Sequence, residues 1–124
     1  MNSINSSQQA VQSAVGLKVK NAVSSLENLS VEFEGGQGIL VSAQSDEGKP
    51  AILVEQMSAD KLPRQPDAVC SVDWSWISQS TLAAATVKEG ALRLELSPAG
   101  TVTVSVQFWQ GKPFLAFQPY KPAK

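Results

Sequence analysis

Residues 91–120 constrain this chain most, because their apolar residues recur at every second position across three consecutive segments. Leu92, Leu94 and Leu96 alternate with Arg93 and Glu95, and Val102, Val104, Val106 and Phe108 alternate with Thr103, Ser105 and Gln107. Side chains of an extended strand point to opposite faces in turn, so a period of two belongs to a half-buried antiparallel sheet. The breaks Ser97-Pro98-Ala99-Gly100 and Gln110-Gly111-Lys112-Pro113 are rich in turn formers, which makes the three segments a meander.

Upstream the pattern changes. Ser6 followed by Gln9 has capping-box spacing, and Val11, Ala14, Val15, Val19, Ala22, Val23 and Leu26 recur at steps of three and four. This spacing predicts one amphipathic helix from Ser6 to between Leu26 and Asn28, after a loose polar tail over residues 1–7. Leu17-Lys18-Val19-Lys20 also alternates as a strand would, and valine loses side-chain freedom in a helix. Val31 and Phe33, then residues 39–43, then residues 51–55 read as three strands. Gly35-Gly36-Gln37-Gly38 and the run Ser45 to Pro50 separate them, loops short enough for sequential antiparallel pairing.

Residues 57–67 follow neither period and contain Pro63, Pro66 and Arg64, so they form the longest irregular connection and a candidate contact loop. Residues 68–77 read as a fourth strand with Cys70, Val72, Trp74 and Trp76 on one face. Residues 78–89, with Leu82-Ala83-Ala84-Ala85 and then Gly90, read as a short helix. The expected fold is therefore α+β, an N-terminal amphipathic helix on a curved antiparallel sheet of six to seven strands. A small closed β-barrel with an N-terminal helix is the alternative. All 124 residues form one domain, with residues 121–124 as a second loose tail. This order of elements is similar in outline to cystatin-like sheets and to secretion-chaperone-like domains, and an outline implies no function.

The residues missing from the chain narrow the chemistry. It contains no histidine and a single cysteine. Every Ser-His-Asp or Cys-His arrangement is thereby excluded, and so is a zinc site of the usual nitrogen and sulfur ligands. Cys70 has no basic neighbour in sequence to lower its pKa and reads as a small buried residue. Glu32 and Glu34 share a strand face about 6–7 Å apart, as the outer face of any acidic strand would place them. Gly35-Gly36-Gln37-Gly38 lacks the Lys-Ser/Thr pair of a phosphate loop. The expectation is a protein that is not an enzyme, with no catalytic residue, no metal and no cofactor.

A net charge of −1 gives no general attraction to nucleic acid or to an anionic membrane. No signal-like start or membrane-length apolar run is present, so a cytoplasmic setting is expected. Charge is nonetheless uneven. Residues 27–60 carry seven carboxylates against Lys49 alone, whereas Lys112, Lys121 and Lys124 stand without an acid after residue 110.

Seven of the eight aromatics lie in the second half, Phe33 being the exception. Adjacent Phe108 and Trp109 must point to opposite faces of their strand, and so must Phe114 and Phe117. Some large aromatic side chains therefore fall outside the core. These features predict a protein-binding, assembly or adaptor module. Its partner would be another protein, met through Trp109, Phe117, Tyr120, Lys112 and Arg64 together with the 57–67 loop. The alternative is a carrier of a small apolar ligand held beside Trp74, Trp76 and Phe108. An open sheet also leaves an edge, and pairing of two such edges would give a homodimer.

Overall fold

The computed structural model describes residues 3–62 and 73–118. Helix α1 (Ser3–Gln12) leads into β1 (Val19–Ser24), β2 (Asn28–Phe33), β3 (Gln37–Asp46) and β4 (Lys49–Ser58). Two short 3-10 turns, Ala59–Lys61 and Ser75–Ile77, precede β5 (Thr81–Lys88), β6 (Ala91–Ser97), β7 (Gly100–Trp109) and β8 (Lys112–Gln118). The strands form two four-stranded antiparallel meanders, β1-β2-β3-β4 and β5-β6-β7-β8. The fold is thus mostly antiparallel sheet with one helix. It is neither the single curved sheet of six to seven strands expected from the sequence nor the alternative closed barrel.

The strands within residues 91–118 form with the expected alternation, and β2, β3 and β4 pair in the expected order as a meander. In β6, Leu92, Leu94 and Leu96 are buried and Arg93 and Glu95 are exposed. In β7, Val102, Val104 and Val106 are buried likewise. The inner faces of both meanders meet in one core, in which Phe33, Leu29, Ile39 and Val41 belong to the first sheet and Leu82, Leu92, Val102 and Val104 to the second. Full burial of each such side chain contributes about 1.5–3 kcal/mol.

Two stretches read as helix contain strand, β1 and β5, and each of these strands is irregular in its register. The N-terminal helix starts earlier than expected, at Ser3, and is over by Gly16, whose φ of 96° suits glycine after a helix end. Beyond it the chain is extended, and β1 carries a bulge between Val19 and Asn21, where two residues face one on β2. The bulge turns the strand's parity, so Val19 and Ala22, three apart, are both buried. In β5 the register shifts between Leu82 and Ala84, and Leu82 and Ala85, again three apart, are both buried. A bulged strand imitates the spacing of a helix face.

The predicted strand over residues 68–77 is also corrected. Residues 68–72 lie outside the described residues, and Ser75–Ile77 is a 3-10 turn. Trp74 is buried there, and its indole N–H donates to Ser24 Oγ on β1 at 2.9 Å. Its ring stands edge-on to Phe117 of β8, centroids 5.0 Å apart and planes at 90°. One tryptophan thus links an outer strand of each sheet.

The sheets are joined directly by the Lys18–Thr81 bridge and by backbone bonds around it, among them Gly16 N–H to Leu82 C=O at 2.7 Å. Helix α1 fills the remaining seam by packing on β4 and β5. Val11 and Ser7 of α1 are completely buried. Ser7 Oγ accepts from Val54 N–H of β4 at 3.0 Å, and the Gln8 amide serves β5 twice. Its Nε2 donates to Ala85 C=O at 3.0 Å, and its Oε1 accepts from Val87 N–H at 2.8 Å. Side chains of one helix thus do the hydrogen bonding that a neighbouring strand would do.

Candidate functional site

The β7–β8 hairpin runs past the core. Its last pairs are Phe108 with Pro113 and Trp109 with Lys112. The two-residue loop Gln110-Gly111 has φ of 51° and 77°, both positive as in the type I′ turn that matches the twist of a hairpin. Phe108 is 38% exposed although it continues the alternation of the buried Val102, Val104 and Val106. Trp109, on the outer face, is 69% exposed.

Strand parity places Lys112 and Phe114 on that outer face with Trp109. The β1–β2 loop comes alongside. Leu26 C=O accepts from Leu115 N–H of β8 at 2.7 Å, and Glu27 C=O accepts from Ala43 N–H of β3 at 2.9 Å. Ser25 N–H donates to Asn28 C=O at 2.8 Å and closes the turn. With its backbone tied at three points, the loop presents a Leu26 side chain that is 41% exposed. Between loop and hairpin lies an open groove of about 330 Å³, lined by Leu26, Glu27, Trp109, Gln110, Lys112, Pro113 and Phe114. The Trp109 indole N–H donates to no described residue, and neither Glu27 nor Lys112 has an ion-pair partner among them.

Of the residues expected to make partner contacts, the structure therefore brings together Trp109 and Lys112. Phe117 is only 7% exposed and is committed to Trp74. Arg64 and Tyr120 lie outside the described residues, as do Cys70 and residues 63–67 of the candidate loop. The described start of that loop sits elsewhere. Ala59 N–H donates to Gly36 C=O at 2.9 Å, beyond the Phe33 end of β2, whereas Leu26 and Glu27 precede its Asn28 end. The loop and the tryptophan do not make one continuous surface through these residues.

Leu26 was not expected in the groove, because the helical pattern assigned it to a core face. Pro113 and Phe114 were legible only as a turn residue and one of two aromatics on opposite faces. A signal did exist, since Leu26 is the last apolar residue before Glu27-Asn28 and falls in a turn if residues 19–24 are a strand.

The residues of the carrier reading are separated. Trp74 is buried, Trp76 is half-buried, and Phe108 stands on the projecting hairpin. The cavity beside Trp74, between Phe33, Leu82 and Leu94, holds about 10 Å³, room for roughly one water.

Glu32 lies 3.5 Å from Lys20 in a partly exposed ion pair, and Glu34 is exposed. Among the described residues no three His, Cys, Asp or Glu side chains come together as a metal site. None of the described helices is long and apolar enough to cross a membrane.

The chain matches no protein-family model, no curated protein and no solved structure.

Proposed function

We propose that this chain is a non-catalytic protein-binding module of the adaptor or assembly type, working in the cytoplasm, with the Trp109 groove as its contact surface. One observation carries the reading: an indole left 69% exposed on a hairpin of fixed turn geometry, beside a leucine 41% exposed on a backbone-tied loop. Tryptophan is the residue most enriched among those that dominate binding energy at protein interfaces. A side chain of that size in water costs the isolated chain and is recovered when a partner covers it. The groove's wall is already formed, so a partner would find it with little ordering left to do.

The experiment is capture from the native cell by the chain and by its Trp109→Ala variant, matched for folding by thermal melting. The protein retained by the parent chain should be lost by the variant, with affinity down at least about tenfold, the range of a strong anchor residue. Equal retention by both would remove the groove from consideration.

A further inference from the structure

We propose that the Trp109 groove takes residues 119–124 of a second copy of this chain, Pro119-Tyr120-Lys121-Pro122-Ala123-Lys124, docked as a polyproline II segment. This rests on the groove being the contact surface, and it names the occupant.

The groove is unsuited to receive a strand. Pro113 has no N–H to offer, and the Leu115 N–H of β8 is already bonded to Leu26 C=O. Strand addition needs a row of free backbone groups along an edge, and this edge is blunted where the groove opens. Recognition must therefore run through side chains. The walls supply an indole face with a donor free of described partners, a second aromatic ring in Phe114, the flat ring of Pro113, and Leu26. Aromatic-lined grooves of this kind take polyproline II segments, whose backbone needs no ladder and is largely pre-ordered.

The chain encodes such a segment itself. A polyproline II helix has three residues per turn, so Pro119 and Pro122 fall on one ridge and Lys121 and Lys124 on another. The proline ridge suits Trp109 and Phe114, and the lysine ridge suits Glu27 on the opposite wall. Glu27 and Lys112 both line the groove and leave it without net charge, so the two lysines of the segment fit only in the direction that sets their ridge against Glu27 and away from Lys112.

The donor must be another copy. Residues 119–124 follow Gln118 at the end of β8 away from the hairpin tip. Lys112, the partner of Trp109, is six residues back, about 20 Å along the strand. Phe114, the nearer ring, is four residues back, about 13 Å, and Pro119, bonded directly to Gln118, stays within about 4 Å of it, so one copy cannot lay both prolines in its own groove. A segment from one copy in the groove of the next is a heterologous contact, which does not close on itself and so builds chains rather than one symmetric dimer.

The test is sedimentation of the full chain, of Trp109→Ala, of a chain lacking residues 119–124, and of the two variants mixed. The full chain should self-associate beyond dimers as concentration rises, and each variant alone should be monomeric. The mixture should form dimers and stop there, because one variant keeps only the donor segment and the other only the groove. A full chain monomeric at every concentration would overturn the proposal, and so would self-association that survives removal of residues 119–124, as an edge-paired homodimer would. Either result combined with Trp109-dependent capture of another protein would leave the binding-module reading standing and remove only this occupant.

Discussion

The two sheets meet along two flanks, and the flanks are finished differently. On one, α1 lies in the seam between β4 and β5, and its Ser7 and Gln8 side chains are spent on strand backbone. On the other, β8 meets the β1–β2 loop through the Leu115–Leu26 bond and leaves a groove beside a largely exposed tryptophan. Both flanks solve the problem that open sheets have unpaired edges. The first solves it internally, with polar groups satisfied and apolar ones buried. The second leaves apolar area and an indole donor facing outward, which is what a contact surface requires.

If that contrast is correct, substitutions should affect stability at the seam and association at the groove. The largest expected effect is Val11→Asp in the seam. A carboxylate at this fully buried position should cost more than about 3 kcal/mol, read as loss of the cooperative transition or a much lower urea midpoint. Next comes Gln8→Ala, which leaves Val87 N–H and Ala85 C=O without their bonds. A loss of about 1–3 kcal/mol is expected; under about 0.5 kcal/mol would mean that water restores both bonds and that the helix only covers the edge.

Gly111→Ala tests the hairpin that holds the tryptophan. With φ at 77°, a side chain there should cost about 1 kcal/mol in urea melts. The smallest stability effect should come from Trp109→Ala, within about 0.5 kcal/mol of the parent, while association falls by tenfold or more. A loss of stability comparable to that of Gln8→Ala would erase the distinction between the flanks.

The groove was only half legible, for identifiable reasons. Trp109 and Phe108 are neighbours, so strand geometry alone required one of them to leave the core. Lys112 followed from the turn beside it. Phe117 lies at the same parity as Leu115, and its burial depends on Trp74 arriving from a 3-10 turn that reads as strand. Leu26 enters the site only because β1 is a strand and its loop reaches β8.

Local pattern was enough for whatever repeats along one strand. The β6–β8 meander and its buried face follow from alternation, because side-chain direction in an extended chain is set residue by residue, and the β2–β4 strands follow from short apolar runs between turn residues. It failed at Val19/Ala22, since a bulge exists only relative to a partner strand and leaves a spacing that helices also have, and at residues 78–89, where the alanine run favours helix locally but pairs with β6. The number of sheets, the helix in the seam and the groove on the far flank arise from contacts between residues tens of positions apart. Such contacts depend on which faces meet in space, and only the folded chain decides that.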